Sequence, residues 1–235
     1  MRSATATRRR LIADAAHEMR TPVATLEAYL EALEDGVAQP DPATLAVLRA
    51  QTARLTRLAG DMAAVSKAEE GRLELSLRPV APAELARTAV AAASTAYTAK
   101  RVSLTLDVEE SLPPLRADTE RLGQVLGNLL ENALRHTPPG GEVTVTVQAT
   151  SEHQAELAVS DDGEGIPAEH LPHIFERLYR ADTARDRQHG GAGTGLAIVK
   201  AIVEAHGGRV SATSAGPGAG TRIAVHLPTE GTAHP

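Results

Sequence analysis

The chain has 235 residues, 42% of them hydrophobic, a formal net charge of −6 and no cysteine. That length holds one or two domains, and the missing cysteine excludes a disulfide framework, a thiolate zinc site and a thiol nucleophile. An acidic balance with only 2% aromatics excludes a basic, base-stacking surface for nucleic acid, and no run of about 18 apolar residues is present to span a bilayer.

The N-terminal stretch lacks the apolar segment of a signal peptide. Arg8-Arg9-Arg10 reads first as a solvated helix face, with a place near a membrane surface or after an upstream segment as the alternatives. Residues 5–37 read as one helix. Ala16, Met19, Val23, Leu26, Leu30, Leu33 and Val37 step by three and four, which is a heptad seam. Asp35-Gly36 and Gln39-Pro40-Asp41-Pro42 end that helix and turn the chain. A second helix is predicted over 42–69, with Leu45, Leu48, Leu55, Leu58, Met62 and Val65 on its inner face. One such hairpin cannot bury two wide apolar stripes alone. Pairing two hairpins makes a four-helix bundle, so a homodimer is expected.

Residues 71–81 contain Gly71 and Pro79-Val80-Ala81 and read as a linker. It divides a helical domain over 1–70 from a second domain over 82–230, with a tail at 231–235. In the second domain, helices are predicted over 84–96, 118–136 and 195–206, with Asp118 as N-cap of the middle one. Strands are predicted over 102–106, 143–149, 155–160, 210–214 and 222–227. Mixed strands with segregated helices imply a two-layer α/β sandwich.

Two distant regions carry chemistry. In Ala16-His17-Glu18-Met19-Arg20-Thr21-Pro22 the histidine flanks the seam, so its ring is expected to face solvent. A neutral imidazole has a free lone pair near pH 7 and is a competent phosphoryl acceptor. Glu18 is the carboxylate that could orient the ring or take its proton. Thr21 lies one turn on, where its hydroxyl could position a water for the reverse step. Pro22 has no N–H, which leaves the Glu18 carbonyl without its helical partner. Alone, His17 would be an ordinary exposed histidine of a dimerisation hairpin.

The other region runs from Asn128 to Gly195 and returns at Gly218-Ala219-Gly220-Thr221. Asn128 and Asn132 are four apart on one helix face, followed by Arg135 and His136. Amide oxygens suit Mg²⁺, and a guanidinium can grip phosphate. Asp161-Asp162-Gly163-Glu164-Gly165-Ile166-Pro167 follows an apolar strand, where glycines admit a flat ring and a buried carboxylate can accept from an exocyclic amine. Gly190-Gly191-Ala192-Gly193-Thr194-Gly195-Leu196 precedes a helix, exposing N–H groups to an anion. The polar stretch 181–190 is a candidate lid. Gly218 to Thr221 fits a plain hairpin turn equally well. His170 and His173 are three apart with no third ligand at useful spacing, so no metal site is expected there.

Together these strings resemble the catalytic core of a sensor histidine kinase, over nearly the whole chain. The segment His17-Glu18-Met19-Arg20-Thr21-Pro22 resembles the H-box. The resemblance implies that His17 is phosphorylated, that Glu18 assists, and that Thr21 takes part in dephosphorylating a partner regulator. Asn128-Leu129-Leu130-Glu131-Asn132-Ala133-Leu134-Arg135-His136 resembles the N-box, and Asp161, Gly163, Gly165 and Ile166 fall in a G1-like box in which Asp161 reads adenine. Ile174-Phe175-Glu176-Arg177-Leu178-Tyr179-Arg180 resembles the F-box. Gly191, Gly193, Thr194, Gly195 and Leu196 resemble the G2 box, with Thr194 where leucine is more usual, and Thr221 closes a final glycine box.

The implied fold is an antiparallel helical hairpin forming a dimeric four-helix bundle, followed by an α/β sandwich of the Bergerat ATP-binding type. ATP and Mg²⁺ are the implied cofactors, with Asn128 and Asn132 as metal ligands. The implied partners are a second copy of the chain, a response regulator receiver domain and a separate or upstream sensor module. The implied location is cytoplasmic, or the cytoplasmic portion of a membrane-bound sensor. Hydrolases sharing this pocket carry a water-activating glutamate where this chain has Asn128, which cannot act as a base. A nucleotide-holding scaffold with regulator phosphatase activity and a simple ATPase remain the alternatives.

Overall fold

The computed structural model describes residues 19–69, 73–109, 111–151, 153–176, 179 and 194–229. Helix α1 is described over 19–34. It ends three residues before the expected 37, because the chain reverses on Gly36 at φ 70°, a left-handed conformation open to glycine without a Cβ penalty. The amides of Asp35 and Ala38 bond back to the carbonyls of Glu31 and Ala32. Val37 therefore lies in the turn, 83% exposed, and not on the seam. Helix α2 spans Pro42–Glu69, as the pattern predicts. The Thr44 N–H donates to Asp41 Oδ1 at 2.7 Å, which caps it, and Pro42 at the first position loses no hydrogen bond there.

A short strand lies within the expected linker. Strand β1, Arg78–Val80, pairs antiparallel with β3, Leu115–Ala117. Three residues are too few for an alternation signal, and Pro79 is tolerated because this ribbon has only two strands. Helix α3 is Pro82–Lys100, longer at both ends than expected, and α4 is Thr119–His136. Strands β2 (Ser103–Val108), β4 (Glu142–Ser151), β5 (Gln154–Asp161), β6 (Arg209–Thr213) and β7 (Thr221–Pro228) form the main sheet, and α5 is Gly195–Ala205.

The sheet order is β2-β4-β5-β7-β6. Only β2 and β4 are parallel; the other pairs are antiparallel. Helices α3, α4 and α5 cover one face, and α2 lies against α5. Between the layers Leu122, Leu126, Leu129 and Leu130 meet Ile198, Ile202, Val145, Leu157, Val159 and Val225, all nearly inaccessible. The far face is polar: Arg222 bridges to Glu156 at 2.6 Å and Gln148 donates to the same carboxylate at 2.8 Å.

Helix α4 is held at both ends. At its start Asp118 Oδ1 accepts from the Arg121 N–H and Oδ2 from the Ser76 N–H, at 3.1 and 3.0 Å. The Asp118 N–H donates to His206 Nε2 at 3.0 Å, and His206 Nδ1 donates to the Ile202 carbonyl at 2.8 Å. Those partners fix the Nδ1–H tautomer. At its end Lys100 Nζ donates to the Leu134 and Arg135 carbonyls, and the buried Tyr97 hydroxyl donates to Leu130.

Burial by itself raises the Asp118 carboxyl, but the N–H groups of Ser76, Arg121 and Glu120 and the Arg121 charge outweigh it and hold it below its ordinary value. A depressed native value makes the cap stabilising above the unfolded value of about 3.9. The gain is lost as pH falls through the lower native value. Asp118→Ala is expected to lower urea stability by about 1 kcal/mol at pH 7. The difference from the parent should shrink towards zero in acid melts below about pH 3.9.

Candidate functional site

The site is built on the polar face of α4. Leu122, Leu126, Leu129, Leu130 and Ala133 are buried, which rotates Asn128 and Asn132 away from the sheet and along one edge. Asn128 is part-buried, and its Nδ2 is enclosed without a hydrogen-bond partner among the described residues. Facing it is the start of α5. A Cβ placed on Gly195 would lie 3.9 Å from the Asn128 Cγ and Oδ1. Thr194, the N-cap of α5, is buried and makes no side-chain cap hydrogen bond. An unpaired amide therefore looks at a helix N-terminus whose own side chain leaves it uncapped, which is favourable for an anion.

The second wall is the loop after β5. Asp161 ends that strand two residues beyond buried Val159, so it shares the helix-facing side. Its Oδ1 accepts the Gly163 N–H at 3.0 Å. Asp162 points elsewhere, its Oδ1 taking the Glu142 N–H at 2.8 Å. Burial pushes the Asp161 carboxyl above the ordinary carboxylate range, only partly offset by the N–H groups of Gly163 and Thr221 and by His136. A carboxylate in that setting gains when a ligand supplies a donor.

The loop is zipped to two neighbours. The Glu164 N–H donates to the His136 carbonyl at 3.1 Å, and His136 Nδ1 meets Glu164 Oε2 at 3.1 Å. The N–H groups of Gly218 and Gly220 donate to Glu164 and Gly163 at 2.6 and 3.2 Å. Gly165 has φ +66° and packs against the Gly216 carbonyl so closely that a Cβ could not be placed there. Ser214 joins both loops. It accepts the Ile166 N–H at 2.9 Å and donates to the Gly220 carbonyl at 2.6 Å. No motif singles out Ser214; its one cue in the sequence is a hydroxyl two residues before the alternating Gly216, Gly218 and Gly220, a setting for local side-chain turns.

Thr221 is buried opposite Asp161 at the start of β7. Leu196 and Phe175 pack against the core as part-buried side chains. Arg135 is paired with Glu131 at 3.3 Å. His170 Nδ1 meets the Tyr179 hydroxyl and His173 Nδ1 meets Glu176, each at 2.7 Å. No group of three or more His, Cys, Asp or Glu among the described residues could hold a metal. The α4 side of the pocket offers neutral amide oxygens, which fit a hard cation that arrives already bound to phosphate. Thr21 is described; its carbonyl accepts the Thr25 hydroxyl at 3.0 Å. His17, Glu18, Gly191, Gly193 and the expected lid at 181–190 lie outside the described residues. None of the described helices is long and apolar enough to cross a membrane.

Two family models match. The "His Kinase A (phospho-acceptor) domain" covers residues 7–71, and the "Histidine kinase-, DNA gyrase B-, and HSP90-like ATPase" covers 117–231. The signal transduction histidine-protein kinase BaeS of Escherichia coli K12 is 38% identical over 95% of this chain and 47% of its own length. The chain spans between 28% and 47% of the length of such relatives. Among solved structures, Acinetobacter baumannii histidine kinase AdeS superposes with a TM-score of 0.72 at 25% identity, over 91% of this chain and 98% of that one. Full-length ShkA, solved in complex with AMPPNP, gives a TM-score of 0.70 at 27% identity, over 96% of this chain and 47% of that one. The first match falls on the helical hairpin and the second on the sandwich with its amide-lined pocket, so the chain belongs to the histidine kinases, as a phosphoacceptor domain joined to an ATPase-type catalytic domain.

Proposed function

We propose that this chain phosphorylates itself on His17 from ATP and passes the phosphoryl group to an aspartate of a response regulator. The observation that carries the reading is the enclosed, unpartnered Asn128 amide facing the start of α5, with the buried Asp161 carboxyl in the adjoining loop. One end of that pocket suits phosphates and the other suits an exocyclic purine amine. The relation to AMPPNP-bound ShkA supports adenine nucleotide as the occupant. His17 lies within the matched phosphoacceptor segment.

In this reading Asp161 accepts from adenine, while Asn128, Asn132 and the N–H groups opening α5 hold the phosphates. Asn128 and Asn132 would also hold Mg²⁺, which when bound neutralises phosphate charge. A ring nitrogen of His17 forms the new N–P bond as the bridging P–O bond breaks and ADP leaves. Glu18 orients the ring and takes its proton, so that the phosphorylated ring is neutral at nitrogen. Asn128 cannot activate water, so the pocket favours transfer over hydrolysis. Thr21 serves the reverse, hydrolytic reaction on the regulator. Exposed Val23, Leu30 and Leu45 form the seam of a homodimer. The reaction takes place in the cytoplasm, under control of a sensor module.

Incubation with γ-labelled ATP and Mg²⁺ should give acid-labile, base-stable label on the parent and none on His17→Gln or Asn132→Ala. Label on another side chain, or free phosphate without labelled protein, would sink the kinase reading. Asp161→Asn should weaken ATP binding about 10–100-fold, the worth of a hydrogen bond to a charged group. The groups around the carboxyl are Tyr97 on α3, His136 on α4 and neighbouring Asp162. Because its value is raised and the ligand needs the ionised form, parent affinity should fall as pH drops through that raised value. Asp161→Asn should remove this component in calorimetric titrations across pH. In sedimentation, Leu30→Asp should move the protein from dimer towards monomer; an unchanged dimer would remove this seam from the interface.

A further inference from the structure

We infer that the Ser214 hydroxyl is a positioning group for purine selection, acting on Asp161 through the Gly220–Thr221 peptide and on the far end of the same loop through Ile166. The inference rests on the nucleotide-binding reading above. A hydroxyl has one proton to donate and two lone pairs. Ser214 uses all three: it donates to the Gly220 carbonyl at 2.6 Å and accepts the Ile166 and Gly216 N–H groups at 2.9 and 3.3 Å.

The Gly220 carbonyl belongs to the same peptide plane as the Thr221 N–H, and that N–H is one of the two backbone groups facing the Asp161 carboxyl. The plane is rigid. Holding its oxygen therefore aims its N–H and, through that, the carboxylate that would read adenine. Gly220 itself is pressed against the Asp161 carbonyl, with φ +68°, so the peptide has little other freedom. Ile166 is 48 residues from Ser214 in sequence, so this one hydroxyl joins the loop after β5 to the loop before β7. Alanine would strand two N–H groups and one carbonyl in a part-buried place. Threonine keeps the hydroxyl.

A merely structural role would loosen the pocket for every nucleotide alike. A positioning role discriminates, because inosine nucleotides lack the 6-amino donor that Asp161 accepts. The test is calorimetric binding of ADP and IDP to the whole chain, as parent, Ser214→Ala and Ser214→Thr, with an unfolding midpoint for each. For Ser214→Ala, ADP affinity should fall about tenfold, the loss of about one good hydrogen bond. IDP affinity should change little, so the preference for ADP narrows. KM for ATP in self-phosphorylation should rise by a similar factor while kcat changes less than about twofold. Ser214→Thr should keep the parent's preference. Equal weakening of ADP and IDP, or an unchanged ratio in Ser214→Ala, would overturn the role of Ser214. If Ser214→Ala does not fold, Ser214→Cys carries the same comparison, with a weak donor of similar size. A parent that binds ADP no better than IDP would overturn the adenine reading itself and, with it, this inference.

Discussion

The rotation of α4 about its own axis is the constraint on which the site depends. Six of its residues, Leu122, Val125, Leu126, Leu129, Leu130 and Ala133, are buried against the sheet and the neighbouring helices. Each large apolar side chain contributes about 1.5–3 kcal/mol by burial, so turning the helix by one residue would cost several kcal/mol. That stripe leaves Asn128 and Asn132 one direction to face. The Asp118 cap, with its ties to Ser76 and His206, sets the axial position at one end. The Lys100 ammonium on the last carbonyls sets it at the other. Packing and capping aim the Asn128 amide at the start of α5.

Two groups at the pocket are poorly matched by their protein surroundings. A buried amide donor without a partner costs about 1–3 kcal/mol, and a carboxyl raised by burial is destabilised in its ionised form. Both penalties sit where a ligand with phosphate oxygens at one end and an amine at the other would relieve them. The loops around them are correspondingly over-determined: backbone bonds from His136, Glu164, Gly218 and Gly220 and the Ser214 hydroxyl all converge within a few residues. A close-packed glycine backbone leaves few alternative shapes, so the groups that would recognise a purine are placed before it arrives.

The elements with strong periodicity were legible in the sequence. The leucine stripe and Asp118 cap give α4 to the residue, and alternation gives the cores of β4, β5 and β7, because burial on one face is what those patterns record. Three features were not legible. Strand β1 is three residues long with a proline inside it, and only its partner β3 makes it a strand. The end of α1 depends on the backbone angle at Gly36, and the apolar Val37 masked it by continuing the heptad count. Ser214 touches a backbone amide 48 residues away; a side chain whose partners are all main-chain groups leaves no partner residue type to read, only the weak cue of a hydroxyl ahead of alternating glycines. At the site, motif spacing singled out Asn128 and Asp161, while the opposite orientation of adjacent Asp162 came only from its bond to Glu142.

The Asp118 carboxylate serves more than its own helix. One oxygen accepts the Arg121 N–H at the start of α4 and the other the Ser76 N–H, two residues before β1. Strand β1 is itself paired with β3, which runs to Ala117 beside Asp118. The chain that enters the second unit is thus anchored at the same point that sets the position of α4. The bond at Ser76 is a single exposed one worth about 1 kcal/mol, so losing it would free Ser76 without unpairing β1. The cap on Arg121 would survive that loss, because it uses the other carboxylate oxygen. The helix bearing Asn128 therefore keeps its place even where the chain leading to it is released.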